Sequence, residues 1–493
     1  MAKIDLRDAY FSIPISEHSK KYLRFTFKDK LYQFNCLPFG LCTAPMIFTK
    51  IMKPIVTYLR EKENIIMTHY LDDSLYINDS KNACIQNIKS ACKLFQNLGF
   101  VINYQKSIFE PSQSCDYLGF TLDSRDLTVS VPTEKQVSIL TKLHSFKLKN
   151  VCKIREFSQL LGSLTAICPA VPYGWVYTKL IEREKYLALQ DSNENYDDKM
   201  SLIKNIYPEL QWWIDNIHKK NPIKQHTFEL EIHTDASRTG WGAVCEGKKA
   251  SGSWSSTELK FHINYLELKA AFLGLQCFAK DFQNCEILLR VDNTTAVAYI
   301  NKMGGVQFKH LNSITRELWQ WCEKRNIWVF ASYINSKDNF EADTESRKIN
   351  IEWELSQSCF EKIRRTLGEP EIDLFASRIN NKCQRFVSWM RDPAALAIDA
   401  FTLDWKTFFF YAFPPFSLIL KCVNKIITDR AVGILVFPYW PSQPWFPLIE
   451  PLLVKDLLIF SPNKSLLTSP YREPHPMHQH LTLAAGLLSA KHL

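Results

Sequence analysis

Three aspartates near the start of the chain have the types and spacing needed for metal chemistry. Asp5 ends a short apolar strand pattern, and Asp72 and Asp73 lie between the strand-like runs 65–71 and 74–77. A tight hairpin turn favours Asn-Gly or Gly-x, so two adjacent like charges at the predicted tip are locally unfavourable. Such conflicts tend to mark functional sites. Carboxylates from separate strands can hold two Mg²⁺ ions about 4 Å apart for phosphoryl transfer to a 3′-hydroxyl.

A second set of acids is spread over a later part of the chain. Asp235 and Asp292 each end a strand pattern, and Glu267 lies on a helix pattern with an apolar stripe. Asp343 follows an Asp-x-x-Glu capping pattern, which predicts that it lies in the first turn of another helix. Four carboxylates gathered without a cation would repel one another, so two Mg²⁺ ions are expected here as well.

Each acid also has an ordinary interpretation. An isolated Asp-Asp pair is usually an exposed acidic turn, and Asp343 could serve only to stabilise the start of its helix. Asp8 has the position of a helix cap and is interpreted as structural. The metal-ligand hypothesis therefore requires each set of acids to meet in space.

The surrounding patterns predict the segments that must position these acids. Strands and helices alternate in 1–130, helical spacing dominates 131–225, and strands return in 226–355. A Gly-Glu-Pro boundary precedes a proline- and tryptophan-rich region, 368–493. We predict an α/β multidomain protein with domains at these four ranges, whereas length alone suggests about three packed domains.

Composition narrows the class of protein. Hydrophobic residues make up 46% and charged residues 23%, which excludes a disordered or low-complexity chain. The net charge of +9 permits a nucleic-acid partner without requiring one. The 14 cysteines are scattered and no apolar run is long enough to span a membrane, so we expect reduced thiols and an intracellular location, cytoplasmic or nuclear rather than secreted. The chain enters a strand pattern at once, as if it began inside a domain.

The first acids lie in motifs that resemble the palm of reverse transcriptases in order and spacing. The matching segments are residues 5–14, 37–48, 70–73, 98–106 and 117–120. The resemblance implies that Asp5, Asp72 and Asp73 are catalytic metal ligands. It also implies an RNA template, a DNA primer and deoxynucleoside triphosphates (dNTPs) as partners. The substrate-binding residues that it implies are Tyr10, Phe39, Gly40, Lys106, Tyr117 and Gly119.

The resemblance assigns a role to each of these substrate-binding residues. Tyr10 would clash with a ribose 2′-hydroxyl, and Lys106 would lie near the triphosphate. Phe39 and Gly40 would contact the template-primer and the nucleotide, whereas the last segment, 117–120, would form the primer grip.

The N-terminus departs from the reverse transcriptase pattern. The family places its fingers before the first aspartate, whereas only residues 1–4 precede Asp5 here. The resemblance therefore implies a truncated palm without the basic contacts that steady the leaving pyrophosphate. We expect the chain alone to extend a primer weakly or not at all.

The second set of acids lies in motifs that resemble type-1 ribonuclease H. The matching segments are residues 233–237, 240–242, 264–268, 291–293 and 339–347. The resemblance implies that Asp235, Glu267, Asp292 and Asp343 are catalytic metal ligands for hydrolysis of RNA in an RNA–DNA hybrid. Contacts to 2′-hydroxyls across the minor groove would select RNA.

The C-terminal region resembles a phage-type DNA adenine methyltransferase domain. The matching segments are residues 371–383, 399–405, 411–416 and 438–445. These enzymes carry Asn or Asp before Pro-Pro-aromatic to accept a hydrogen bond from the adenine amino group, and Phe413 has no such acceptor. We therefore expect a degenerate domain that keeps the fold without the activity.

The order of the segments resembles the polyprotein of a DIRS-type retroelement, with a truncated palm and an all-α thumb or connection before the ribonuclease H-like domain. The function that this order implies is that of an RNA-directed DNA polymerase and hybrid ribonuclease. The alternative is a non-catalytic nucleic-acid-binding relic of such an element. No membrane partner is expected, and the oligomeric state stays open.

Overall fold

Residues 1–348, 353–469 and 475–492 are described by a computed structural model. The chain divides into two units, Met1–Gln225 and His226–Leu493. Helices and strands are mixed in both units, which confirms the predicted α/β multidomain class. The predicted domains 226–355 and 368–493 include residues 349–352, 470–474 and 493, which lie outside the described ranges.

The first unit contains an antiparallel sheet, a helical segment and smaller ribbons. Its strands are β1 (Ala2–Arg7), β2 (Arg24–Phe27), β3 (Lys30–Gln33), β4 (Ile66–Tyr70), β5 (Asp73–Ile77), β6 (Val101–Ile102), β7 (Ser114–Tyr117), β8 (Phe120–Asp123), β9 (Thr128–Ser130), β10 (Val151–Lys153), β11 (Lys199–Ser201) and β12 (Asn221–Pro222). Its α-helices are α1 (Glu17–Lys20), α2 (Ala44–Glu61), α3 (Lys81–Asn97), α4 (Thr133–Lys147), α5 (Ile154–Thr165), α6 (Gly174–Asp191) and α7 (Tyr207–Asn216).

Strand β1 lies inside the sheet β4-β5-β1-β6, and its alternating pattern separates apolar from polar side chains. Ala2, Ile4 and Leu6 are buried in one core with residues of α2 and α3. Because successive side chains point to opposite faces, Lys3 and Asp5 share the other face. The two helices therefore cover one face and leave Asp5 on the opposite one.

The segment predicted as almost purely helical, 131–225, contains α4 to α7 but also short strands. Strands β10 and β11 pair with each other, and β12 joins β9 in the sheet β12-β9-β8-β7. Strands of two or three residues are too short to show a period of two in the sequence.

The second unit contains two larger sheets. Its strands are β13 (Phe228–Ala236), β14 (Gly240–Cys245), β15 (Lys248–Ser253), β16 (Glu286–Val291), β17 (Trp328–Tyr333), β18 (Glu354–Leu355), β19 (Ile372–Asp373), β20 (Arg385–Ser388), β21 (Ala397–Ile398), β22 (Phe409–Ala412), β23 (Val432–Pro438), β24 (Leu458–Phe460), β25 (Leu467–Thr468) and β26 (Leu483–Ser489). Its α-helices are α8 (Ile263–Phe278), α9 (Thr294–Asn301), α10 (Lys309–Glu323), α11 (Phe340–Ser346), α12 (Gln357–Leu367), α13 (Ile419–Thr428) and α14 (Phe446–Ile449).

The five-stranded sheet has the order β15-β14-β13-β16-β17. Strands β13, β16 and β17 are parallel, whereas β14 and β15 are antiparallel to their neighbours. Helix α11 packs directly on β14, where Gly242 leaves room for it. A Cβ at Gly242 would overlap the backbone carbonyl of Ala342, so this close approach requires glycine.

The seven-stranded sheet has the order β21-β20-β19-β22-β23-β26-β24. The first five strands in this order are parallel, and β26 runs antiparallel between β23 and β24. Its core contains Trp405, Phe410 and Phe437, all fully buried. The proline- and tryptophan-rich composition of this region therefore belongs to a layered α/β sheet domain.

The composition led to expectations about the cysteines and about membrane-spanning segments, and the described residues bear on both. All 14 cysteines lie in described ranges and are free. Among the described residues, no helix combines the length and apolar character needed to cross a bilayer.

Candidate active sites

The first set of acids is positioned by the β1, β4 and β5 strands. Asp5 lies within β1 and is directly opposite Asp73, the first residue of β5. Side chains opposite each other in an antiparallel pair have Cβ atoms about 5 Å apart on the same face. Asp72 precedes Asp73 in the turn between β4 and β5 and is exposed. Asp5 and Asp73 therefore face each other, and Asp72 lies close enough for its charge to raise the pKa of Asp5. Among the described residues, these three acids do not form a group whose carboxylate oxygens all lie within 4.8 Å of one another.

The hairpin turn differs from the predicted one. Tyr70 pairs with Asp73, so the turn consists of Leu71 and Asp72, and Asp73 belongs to β5 rather than to the tip. Leu71 adopts the positive φ of 53°, which is unfavourable for a leucine. Strained backbone of this kind is typical of functional sites.

The surroundings of Asp5 explain why the pKa of its carboxyl is raised. Asp5 is 8% exposed, and burial is the main cause that raises the pKa of its carboxyl, followed by the charge of Asp73. A side-chain hydrogen bond with Asn103 and the charge of Lys106 act in the opposite direction. Lys3 Nζ also lies 3.3 Å from Asp73 Oδ1. Lysines thus offset part of the carboxylate charge.

Two of the predicted substrate-binding residues, Tyr10 and Lys106, lie close enough to these acids for their charges to interact. The Tyr10 ring packs against Phe39, with centroids 5.1 Å apart, and its pKa is raised by burial and then by the charge of Asp72. Gly40 has a φ of 87°, which glycine adopts without strain. Lys106 is exposed and close enough to Asp5 to influence its pKa.

The last predicted segment forms the hairpin of β7 and β8. The Tyr117 ring is 7% exposed and packs in a small core with Leu75 and Cys115. Gly119 lies in the exposed turn with a φ of 77°. The ring of Tyr117 therefore packs inside the protein, and only the turn beside it is open to a ligand.

The second set of acids meets at one edge of the five-stranded sheet. Asp235 lies near the end of β13, Glu267 lies on α8, and Asp292 follows β16. Because the carboxyl ends of parallel strands meet at one edge, these acids converge. One carboxylate oxygen from each lies within 4.8 Å of the others.

Burial disfavours the state in which all three acids of this group are ionised and no cation is bound. The pKa of Glu267 is raised to about 9 by burial and then by the charges of Asp235 and Asp292. The pKa of Asp235 is raised to about 6, mainly by burial, although a hydrogen bond from Ser346 opposes the shift. Glu267 Oε2 is buried and has no hydrogen-bond partner. This orphaned oxygen and the all-carboxylate donor set fit a hard divalent cation.

Asp343 lies outside this three-acid group. It occupies the first turn of α11, as predicted, but its Oδ1 lies 2.6 Å from Arg347 Nη2. Its charge still influences the pKa of Asp235, so it lies nearby. The expected Asp-x-x-Glu cap is not formed, because the cap residue is Asn339, whose side chain makes no capping hydrogen bond.

Two serines that the sequence analysis did not single out hold the acids in place. Ser346 Oγ donates to Asp235 Oδ2 at 2.5 Å, and Ser336 Oγ donates to Asp292 Oδ2 at 2.8 Å. Ser346 lies inside segment 339–347, which resembles ribonuclease H, and this resemblance is the sequence signal by which Ser346 could have been found. Its partner is 111 residues away, so the contact itself could not be read from local spacing.

Glu267 leads to a prediction about stability without metal. Its pKa rises from 4.5 to about 9 on folding, so the folded state binds more protons between these values. Its contribution to stability is complete below about pH 4.5 and is lost as the pH rises through about 9, by up to about 1.4 kcal/mol per pH unit. Denaturant unfolding in a chelator should show this decline, and Glu267→Gln should flatten it.

Mg²⁺ should stabilise the wild-type chain most at high pH, because the ion favours the ionised carboxylate. Glu246→Gln is the matched control, since Glu246 is exposed. An equal pH dependence in the wild-type and Glu267→Gln chains would contradict the prediction.

Comparisons with known proteins relate the first unit to one family. Residues 1–122 match the family model described as "Reverse transcriptase (RNA-dependent DNA polymerase)". The chain is 26% identical over 374 residues to the "Putative enzymatic polyprotein" of Cassava vein mosaic virus. The matched region covers 70% of this chain and 52% of that protein. It is 24% identical over 368 residues to the "Enzymatic polyprotein" of Cauliflower mosaic virus (strain D/H), with 71% and 50% covered.

A solved foamy viral protease-reverse transcriptase in complex with an RNA/DNA hybrid is similar at a TM-score of 0.41 and 17% identity, over 67% of this chain and 43% of that one. The chain spans about half the length of the two plant-virus polyproteins. Residues 1–122 are thus a match to the reverse transcriptase domain family, in a chain similar to viral enzymatic polyproteins.

Proposed function

We propose that the chain is an RNA-directed DNA polymerase joined to a ribonuclease that cuts RNA in an RNA–DNA hybrid. The observation that carries the proposal is the pairing of Asp5 with Asp73, beside Asp72, inside the segment that matches the reverse transcriptase family. The proposed partners are an RNA template, a DNA primer, dNTPs and the hybrid product.

The polymerase step assigns different tasks to the residues of the first unit. Asp5, Asp72 and Asp73 would hold Mg²⁺, which supplies charge neutralisation of the triphosphate and a lower pKa for the 3′-hydroxyl. Exposed Lys106 would contact the triphosphate. The Tyr10 ring, fixed against Phe39, would exclude a ribose 2′-hydroxyl and so select dNTPs.

The ribonuclease step would use the three converging acids of the second unit. Asp235, Glu267 and Asp292 would hold Mg²⁺, and their two serine partners would keep the aspartate carboxylates oriented. Asp343 would join them as a fourth ligand only after its carboxylate leaves Arg347. Arg347 would then be available for a phosphate of the hybrid.

The test uses the full chain, a DNA primer annealed to an RNA template, dNTPs and Mg²⁺. We expect shortening of the hybridised RNA and, with excess enzyme, at most weak lengthening of the primer, both abolished by a chelator. Binding of the substrate without either reaction would favour the alternative, a non-catalytic relic that holds nucleic acid.

We infer a second candidate function for the seven-stranded sheet, a methyltransferase-like nucleoside site without methyl transfer. The chain leaves β19 toward β20 and then crosses to β22, so a switch point lies between β19 and β22. Ligands of open α/β sheets bind at such points. A crevice of about 620 Å³ lies there, lined among others by Phe375, Trp389 and Phe413.

Phe413 leads to a prediction for this region. Because its side chain offers no hydrogen-bond acceptor, the native chain should transfer no methyl group from S-adenosylmethionine to adenine in DNA. Phe413→Asn is the matched comparison, since it supplies the missing acceptor. Measurable transfer by the native chain would contradict the inference.

The order of the proposed domains also supports an origin in a DIRS-type retroelement. A segment that matches the reverse transcriptase family precedes the acids of the five-stranded sheet, and the seven-stranded sheet, which we propose to be methyltransferase-like, follows them.

A further inference from the structure

Helix α8, which carries Glu267, has two packed faces. One face lies on the five-stranded sheet, where a Cβ added at Gly274 would be 2.9 Å from the methyl carbon of Thr234. Glu267 lies about two turns before Gly274 and therefore on the same face. Lys269 lies about 200° around the helix axis from Glu267, and its pKa is lowered by burial and then by the charge of Arg378. The face opposite Glu267 is therefore turned toward the seven-stranded sheet.

The start of α8 is held by an ion pair with the loop that joins β19 to β20. Arg378 in this loop donates through Nη1 and Nη2 to the two carboxylate oxygens of Glu258, each at 3.0 Å. Glu258 lies in the turn before α8, and Arg378 Nη2 also donates to the carbonyl of Ser253, the last residue of β15, at 3.1 Å. The Arg378 and Glu258 side chains are only 17% and 12% exposed, so solvent screens the pair weakly.

The end of α8 is held by the next loop of the seven-stranded sheet, between β20 and β21. Cys277 Sγ donates to the Arg391 carbonyl at 3.8 Å, and the Arg391 guanidinium lies 5.6 Å from the centroid of the Phe278 ring. The two loops are joined to each other, because the Arg378 backbone N–H donates to Asp392 Oδ2 at 2.8 Å. Both ends of α8 are thus fixed to connected loops of the seven-stranded sheet.

The ion pair is better suited to orienting α8 than to stabilising the fold. A buried ion pair adds little net stability, since the desolvation of both charges offsets their attraction. Its geometry is specific, however, because a guanidinium forms two parallel hydrogen bonds with a carboxylate only in a narrow range of orientations. The pair therefore fixes the direction in which the chain enters α8.

We propose that Arg378 is a positioning residue of the ribonuclease, which holds α8 at Glu258 and so keeps Glu267 within reach of the other two acids of the three-acid group. The inference rests on the proposed ribonuclease function. Residues that support metal ligands in this way change metal affinity or activity by about 10- to 100-fold. The seven-stranded sheet then has a task in the nuclease that is independent of methyl transfer.

The first test measures cleavage of an RNA–DNA hybrid by full-length chains over a range of Mg²⁺ concentrations. Arg378→Ala should raise the Mg²⁺ concentration for half-maximal cleavage by about 10-fold or more and recover part of its rate at high Mg²⁺. Arg378→Lys keeps the charge but not the bidentate geometry, so it should lie between Arg378→Ala and the wild type. Arg365→Ala is the matched control, since Arg365 is exposed on α12, and it should behave as the wild type.

Two further measurements do not depend on cleavage. In a chelator, hydrogen exchange of the peptide that contains Glu267 should be faster in Arg378→Ala than in the wild type, whereas exchange in β1 should be unchanged. Mg²⁺ should also raise the unfolding temperature, and the part of this rise that Asp292→Asn abolishes reports binding at the three-acid group. Arg378→Ala should need about 10-fold more Mg²⁺ to reach half of that part.

A smaller folded fraction would lower the maximal cleavage rate without changing the Mg²⁺ requirement. That result, an equal shift in Arg365→Ala, or unchanged exchange in α8 would overturn the inference. If the wild-type chain binds Mg²⁺ at the three-acid group but cleaves no hybrid, the proposed ribonuclease fails, and the shift in Mg²⁺ binding still decides whether Arg378 positions Glu267. A wild-type chain that neither cleaves the hybrid nor gains stability from Mg²⁺ would overturn both.

Discussion

Replacing Asp292 with Asn is expected to slow cleavage of hybridised RNA by at least about 100-fold, since changes even to groups that only support metal ligands cost 10 to 100-fold. The substitution keeps the shape of the side chain but removes one of three converging charges. Cleavage of end-labelled RNA in an RNA–DNA hybrid, measured under single-turnover conditions with Mg²⁺, reports the effect.

Asp338→Asn is the control for this substitution. Asp338 is exposed, lies in the same part of the chain, and is not a member of the three-acid group. It should cleave at the wild-type rate. Equal rates for the wild-type and Asp292→Asn chains would remove the basis for a metal-dependent nuclease at this edge of the sheet.

Replacing Asp72 with Asn is expected to reduce primer extension on an RNA template by at least about 100-fold relative to the wild-type chain, for the same reason. The fold should be kept, because Asp72 is exposed and its structural contact is the backbone oxygen that accepts from Leu6 N–H at 2.9 Å. Extension is measured with excess enzyme, so that weak activity of the wild-type chain is still detected.

Asp79→Asn provides the matched control for the polymerase site. Asp79 is exposed and lies in the loop that follows β5, so it is close to Asp73 in sequence but lies beyond the end of the strand. It should extend primers as the wild type does. A wild-type level of extension by Asp72→Asn would show that this carboxylate holds no catalytic metal.

The placement of most acids follows from local sequence patterns. Alternation in β1 predicts that Asp5 faces away from Ile4, and the strand pattern before Asp235 predicts its position near the end of β13. The helix pattern around Glu267 likewise corresponds to α8. These elements are long enough for their hydrophobic period to be read directly.

The details that local patterns miss depend on distant contacts or on strain. The positive φ of Leu71 could not be expected from a leucine, and neither could the pairing of Tyr70 with Asp73, which leaves Asp73 outside the turn. The ion pair of Asp343 with Arg347 has the i, i+4 spacing typical of helix pairs, yet the same acid also fits a metal ligand. Spacing alone does not decide between these partners.

The seven-stranded sheet shows a different limit of sequence patterns. Strands β19 and β21 have two residues each, so no period of two is visible in them. Their pairing depends on neighbouring strands from distant parts of the chain. Motif resemblance, rather than periodicity, was the signal for an α/β domain in this region.

One reaction tests most directly the central claim that two separate carboxylate sites act on the same nucleic acid. A DNA primer and its RNA template carry different fluorescent labels, and primer length and RNA length are read from one gel after incubation with dNTPs and Mg²⁺. We predict that Asp72→Asn still shortens the RNA without lengthening the primer, and that Asp292→Asn has the reverse effect. The claim would be contradicted if either variant lost both reactions, or if both variants kept both reactions.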